Sequence, residues 1–392
     1  MIQLLLPITL GILAGTITGL LPGIHINLIA AILLSLPLIT LFPPIILIIF
    51  VVAMATTHTF LDFIPSIYLG APDEDTALST MPGHRFLLKG RGHQAVLLTL
   101  VGSAIAIPIL ILITPIFILA IPKIYPTIQK IMAFLLISIS IFLLSKEKQS
   151  KFWAFLIFIL AGFLGIASLN LNITQPLLTG LFGFSTLIYS ISQNHQIPKQ
   201  KIGKLLLPKK ELIKPIIATT LVSPIFSFLP GLGSSQSAII SSEITTLSRK
   251  QFLILLGSIN TLVMSTSFLT LYIINKSRTG AANFIQQTIQ LTPAHLIPIF
   301  LTIIISTIIC IPLTIKISKI FAKNIHKINY SKISKTILLF LTLIITLSTK
   351  FTGLLILISA TLLGLLCIYS RIRRGFLMGA LLIPTILFYL PF

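Results

Sequence analysis

The sequence predicts an all-α polytopic membrane protein made of two inverted-topology halves, each a helical hairpin broken at Leu-Pro-Gly followed by about five crossings. Three observations predict it. Of 392 residues, 55% are hydrophobic and only 9% are charged, against about 25% charged in an ordinary soluble domain. The apolar residues gather in runs close to the ~20 residues that cross a bilayer. A pattern of small residues ending in Pro-Gly occurs once in each half. Soluble enzymes are excluded, because a chain this apolar could bury only part of its surface in a water-soluble core.

The apolar segments lie at about 1–21, 24–41, 42–63, 93–121, 131–145, 152–169, 176–192, 213–229, 232–248, 251–274, 293–315, 336–349, 352–370 and 375–391. The first has no basic flank and no cleavage signature, so a retained span is expected there. The pairs 1–21/24–41 and 213–229/232–248 are each interrupted at Leu-Pro-Gly, and each is expected to return to the side it started from. Cys310 and Cys367 sit inside apolar runs and read as packing residues. Neither a disulfide nor a cysteine metal site is supported, and no resident cofactor is expected.

The net charge of +21 comes from Lys and Arg in short clusters between apolar runs. These read as topology-setting loop charges attracted to anionic membrane lipid, and no nucleic-acid partner is expected. With the two pairs taken as hairpins, segments 85–91, 146–151, 199–214, 249–250, 316–335 and 371–374 fall on one side and carry 23 of the 28 Lys and Arg. Lys123, Lys130, Lys276, Arg278 and Lys350 remain on the other. The positive-inside rule makes the 23-charge side cytoplasmic, with both termini outside. The expected division is a first membrane repeat at 1–198, a basic cytoplasmic linker at 199–212 and a second membrane repeat at 213–392.

The repeat rests on Gly15-x-x-x-Gly19-x-x-Pro22-Gly23 and, 208 residues on, Ser223-x-x-x-Ser227-x-x-Pro230-Gly231. Tyr68-Leu69-Gly70-Ala71 and Arg278-Thr279-Gly280-Ala281 recur at an offset of 210. Small residues four apart let helices approach closely, and Pro-Gly frees backbone groups for a ligand or a neighbouring helix. With one hairpin opening from each side, this is the inverted construction of many secondary transporters.

Polar residues follow each break: His25 and Asn27 after Pro22-Gly23, and Gly233, Ser234, Ser235 and Gln236 after Pro230-Gly231. Free N–H groups and the positive dipole end at such a helix start favour a carboxylate or phosphate. The same residues also suit plain N-capping. Asn260, inside span 251–274, either lines a polar path or bonds a neighbouring helix. The stretch from Thr56 to His93 is the most polar of the chain and holds His58, Asp62, Asp73, Glu74 and Asp75. Acids at membrane depth are costly and functional, which makes these five the candidates for a coupling Na+ or H+. Asp73-Glu74-Asp75 also reads as the cap of a surface loop helix. Glu243 is expected to pair with Arg249 or Arg278, or to face the cytoplasmic interface.

Gly15-Thr-Ile-Thr-Gly19-Leu-Leu-Pro22-Gly23, Gly70-Ala-Pro72 through Met81-Pro82-Gly83-His84-Arg85 with Lys89-Gly90-Arg91-Gly92, and Phe228-Leu-Pro230-Gly231-Leu-Gly233 resemble the large membrane subunit of tripartite tricarboxylate transporters, the TctA family. Asn260 and the run from Leu271 to Gly280 are similar to its archaeal-type branch. The resemblance implies a multi-pass permease of the cytoplasmic membrane that moves a small carboxylate with a cation gradient. It also implies a small membrane subunit and an extracytoplasmic binding protein as partners. Two other readings stay open. A polyprenyl-phosphate or other lipid-phosphate translocase would use the same helix starts to hold phosphate. An intramembrane enzyme would use His25, His58, Asp62 or His84, although no His-Glu-x-x-His or Gly-x-Ser-x-Gly spacing is present.

Overall fold

Inside lipid every backbone N–H and C=O must be paired within its own segment, so long apolar runs fold as helices. The computed structural model of the chain describes residues 2–21, 26–35, 41–70, 75–171, 173, 175–193, 197–203, 205–229, 233–327 and 330–390, and all regular structure among them is helical. Helices α1 (Ile2–Leu20) and α2 (Ile26–Ser35) flank the first Leu-Pro-Gly, and α3 (Pro44–Leu61) runs through a turn at Asp62 into α4 (Phe63–Tyr68). After a 3-10 turn (Ala77–Ser79) come α5 (Thr80–Leu88), α6 (Gly92–Lys130), α7 (Met132–Ser145) and α8 (Lys151–Asn170). A π-helical turn (Thr179–Phe184) joins α9 (Gln175–Leu178) to α10 (Ser185–Gln193). The second half holds α11 (Lys210–Phe226), α12 (Ser234–Ile244), α13 (Arg249–Ile274), α14 (Gly280–Thr288), α15 (Pro293–Asn324), α16 (Tyr330–Tyr369) and α17 (Gly379–Tyr389).

Among the described residues six helices are long and apolar enough to cross a membrane, and four shorter apolar ones accompany them. The chain is a multi-pass membrane protein. Several boundaries differ from those the apolar runs suggest; segment 293–315, for one, continues as α15 to Asn324 through Lys316, Lys319 and Lys323. Segment 93–121 is part of a 39-residue helix, α6, that continues through Pro122 and Pro126. Proline breaks helices in water more readily than in a bilayer, where neighbouring groups satisfy the carbonyls it frees. Segment 42–63 continues to Tyr68, since the bend at Asp62 redirects the helix without ending it. The expected break between 336–349 and 352–370 appears as a kink inside α16 at Lys350, with φ 55°.

Helices α3–α4 and α13 form the centre. Buried residues make up 78% and 94% of their most apolar windows, against 33–44% in the other long helices, which therefore turn one face to lipid. Close backbone approach builds this centre. A side chain at Gly102 of α6 would overlap the Ile254 carbonyl of α13, and one at Gly257 would overlap the Thr99 carbonyl of α6. Gly15 and Gly19 similarly rest on α3 at Met54 and His58, so the small-residue spacing of the sequence marks a real helix contact. The hydrophobic cores draw on both halves: one cluster joins Ile26, Ile48 and Ile109 to Leu262, Phe284 and Ile303.

The basic segments converge at one end. Lys201 N–H donates to Gly90 O at 2.7 Å, joining 199–214 to 85–91. Lys214 Nζ donates to Thr246 O at 3.1 Å, just before Arg249. Arg373 donates to Lys146 O at 3.0 Å, and Ser318 meets both Tyr68 and His93. At the opposite end Arg278 donates to the carbonyls of Phe226 and Leu229, and Phe228 packs against Tyr125. With the ends so fixed, α1 and α3 run side by side toward the basic end, while α11 and α13 run side by side away from it.

Glu243 does not pair with Arg249 or Arg278. It meets Arg373 at 2.5 Å, because α12 ends beside the 371–374 loop, which also brings Arg373 within 3.7 Å of the buried Glu147. One guanidinium therefore ties α12 to the α7–α8 turn. Its neighbour Arg374 donates to Leu181 O at 2.9 Å and Phe182 O at 2.7 Å, with Thr186 Oγ1 and Ser185 Oγ as further acceptors, and so serves carbonyls of the π-helical turn. Replacing Arg373 by Ala takes the guanidinium away from two carboxylates, one of them the buried Glu147, whose Oε1 keeps the N–H groups of Lys148 and Gln149, and should cost about 2 kcal/mol. A lowered Tm of the purified variant in detergent is the expected result, with Glu147→Gln restoring part of the loss.

Candidate functional site

The candidate site is a polar seam where the two halves meet at the centre of the bundle. It begins on α3. His58, Thr59 and Asp62 occupy the last turn of α3 and the bend after it, all buried. Asn260 and Thr261, halfway along α13, face them from the other half. Asn260 Nδ2 donates to Asp62 Oδ2 at 2.8 Å, and Thr261 Oγ1 lies 3.3 Å from Thr59 Oγ1. A hydrogen bond to a charged group is worth more than one between neutral groups, and in a bilayer it also replaces the hydration the carboxylate has lost.

His58 joins the same carboxylate. Its Nε2 lies 4.0 Å from Asp62 Oδ2, one helical turn along. Its Nδ1 lies 3.0 Å from Thr18 Oγ1 on α1. The Thr18 hydroxyl donates to Gly15 O at 3.2 Å, so its oxygen is left to accept from His58 Nδ1–H. That tautomer turns the other ring nitrogen, Nε2, toward Asp62.

One turn beyond Asp62, Ser66 Oγ donates to Thr76 O at 3.2 Å and lies 2.7 Å from Ser79 Oγ. This fixes the loop that carries Asp75. Asp75 Oδ1 then accepts from Ser234 N–H at 3.2 Å, at the start of α12. In the same turn Gly233 N–H donates to Gln236 Oε1 at 2.6 Å. Helix α12 has 11 residues, so it spans only about 16 Å from its end beside the basic loops. Its N-terminus therefore lies near the middle of a hydrocarbon layer about 30 Å thick.

The expected site residues sort as follows. His58, Asp62 and Asn260 come together in one cluster. Asp75, Gly233 and Ser234 come together in a second, with Ser235 buried beside them. Asn27 stands at the second position of α2. Pro22, Gly23, His25, Asp73, Glu74, Pro230 and Gly231 lie outside the described residues. Asp75 caps a helix of the other half and not a surface loop helix, because the 75–79 loop is held inward by Ser66. Asn260 bonds a neighbouring helix, and its partner is the coupling-ion candidate Asp62. Thr18, Thr59, Thr261 and Gln236 complete the seam; the sequence marks Gln236 by its place after Pro230-Gly231 and Thr261 by its place beside Asn260, and holds no signal for Thr18 and Thr59 beyond being hydroxyls within apolar runs. Among the described residues no group of three His, Cys, Asp or Glu could hold a metal ion. A groove of about 490 Å³ between α8 and α17, lined by Asn170, Pro384, Phe388 and Tyr389 among others, lies away from this seam and presents no charged group.

The model of the tripartite tricarboxylate transporter TctA family matches residues 5–379. An uncharacterized protein of Methanocaldococcus jannaschii is 32% identical over 407 residues, covering 98% of this chain and 99% of that protein. No solved structure matches.

Proposed function

Because the chain belongs to the tripartite tricarboxylate transporter TctA family, we propose that it is a secondary active permease of the cytoplasmic membrane that moves an organic anion, a carboxylate, coupled to H+ or Na+. One observation carries the reading: Asp62, a buried carboxylate in the central helix pair, is bonded across the two halves to Asn260 and faces His58. A soluble-type hydrophobic core gains nothing from such a group, whereas a coupled transporter needs a charge at depth that a cation can neutralise.

The site works by division of labour. The mid-depth N-terminus of α12 offers N–H groups and the positive end of its dipole to the carboxylate. Asp62, with His58, holds the coupling cation. The two halves form an inverted repeat whose hairpins open toward opposite faces, and rocking of one half against the other exposes the site alternately. The basic end faces the cytoplasm. A small membrane subunit and an extracytoplasmic binding protein are the partners that this family role calls for.

A thermal-shift series on the purified protein tests the reading. Citrate, succinate, amino acids and polyprenyl phosphates are compared with and without sodium. A ligand present at 100 times its Kd stabilises the native state by about 2.7 kcal/mol. A rise in Tm with a di- or tricarboxylate is expected. A rise confined to polyprenyl phosphate would replace this assignment by a lipid-carrier translocase.

A further inference from the structure

The start of α12 already holds a carboxylate, and it is the chain's own. Asp75 Oδ1 accepts from Ser234 N–H at 3.2 Å. Beside it are two donors with no hydrogen-bond partner. Gln236 is fully buried, and its Oε1 is pinned by Gly233 N–H at 2.6 Å, which leaves its Nε2 in the first turn of the helix unpaired. Ser237, also fully buried and bonded through its N–H to Gly233 O at 3.1 Å, has an unpaired Oγ. Buried donors are almost always satisfied, and two orphans in one helical turn beside a capping carboxylate mark a place where further acceptor atoms belong.

We propose that Asp75 is an internal stand-in for the substrate carboxylate. In the ligand-free protein it occupies the α12 N-terminus. An arriving carboxylate takes its place on Ser234 N–H and adds the two donors Asp75 leaves unused, Gln236 Nε2 and Ser237 Oγ. The two cannot share the position, because like charges in contact at membrane depth repel strongly. Displacement has a mechanical consequence. Asp75 belongs to the first half and α12 to the second, and the 75–79 loop is tied through Ser66 to the turn after Asp62. Substrate entry therefore cuts one link between the halves, on a loop tied through Ser66 to the segment that carries the proposed cation site. The inference rests on the organic-anion reading and adds to it a self-competing site whose ligand carries at least one carboxylate or phosphate.

The test measures the Kd for citrate, succinate and inorganic phosphate by calorimetry on the full-length protein and two variants. In Asp75→Asn the amide oxygen still caps Ser234, so the fold is kept while the competing charge is gone. Citrate should bind about tenfold tighter to this variant, a gain of about 1.4 kcal/mol. Adding Gln236→Leu to Asp75→Asn should abolish that gain. If the wild-type protein binds citrate and Asp75→Asn binds it equally or more weakly, Asp75 is an ordinary cap, the proposal is overturned and the transporter reading stands. If no anion binds either the wild-type protein or Asp75→Asn, the organic-anion reading fails and takes this proposal with it.

Discussion

Asp62→Asn is expected to lower ion-driven uptake by about 100-fold while leaving the protein folded. The side chain keeps its shape, and its amide oxygen still accepts from Asn260 Nδ2, so the bond that joins α3 to α13 survives. What disappears is the one charge in the cluster that a cation can neutralise. A hundredfold loss corresponds to about 2.7 kcal/mol, within the range for losing a hydrogen-bonded interaction with a buried charge. Initial uptake rates in proteoliposomes, with and without an imposed proton or sodium gradient, provide the check. Gradient-independent exchange of substrate should persist in the variant. Full gradient-driven accumulation by Asp62→Asn would remove Asp62 from the coupling role.

Gly257→Val should damage folding severely. Gly257 and Gly102 lie where α6 and α13 cross with backbone against backbone, and any side chain at 257 overlaps the Thr99 carbonyl. Ser103 Oγ also donates to Gly257 O at 3.1 Å across this crossing, so separating the helices forfeits that bond as well. Overpacking against a side chain costs about 1–3 kcal/mol, and here the obstacle is helix backbone that cannot change rotamer, so a loss above about 3 kcal/mol is expected. Gly203 provides the control, since a side chain there meets nothing within 4 Å. Size-exclusion profiles in detergent should show Gly203→Val as wild type and Gly257→Val as aggregated or absent. A monodisperse Gly257→Val with an unchanged Tm would mean that the crossing is looser than described.

Much of the fold was legible because a bilayer imposes few solutions. Apolar run length marked most helices, and the positive-inside count separated two sets of loops. The basic set, 85–91, 146–151, 199–214, 249–250, 316–335 and 371–374, gathers at one end through Gly90, Lys146, Thr246 and Ser318. Proline misled at α6, because helix-breaking rules from water carry less force in lipid. The site was legible in its parts and not in its pairings. Asp62, Asn260, Asp75 and Ser234 each stood out as polar groups in apolar or interrupted segments. That Asp62 meets Asn260, 198 residues away, and Asp75 meets Ser234, 159 residues away, follows only from how the halves interlock. Glu243 shows the same limit. Sequence proximity and charge pointed to Arg249 or Arg278, while the observed partner is Arg373, from the loop against which α12 happens to end.

A permease that couples a carboxylate to a cation through the Asp62 cluster must accumulate that carboxylate when the cation gradient is imposed. The most direct measurement reconstitutes the purified protein into liposomes and follows radiolabelled citrate and succinate under an imposed proton gradient, an imposed sodium gradient, or none. At least one of them should accumulate above its external concentration under one gradient, collapse on addition of the matching ionophore, and fail to accumulate without a gradient. Equilibration to the external concentration under every condition, or no entry of either compound under any, would contradict that coupling.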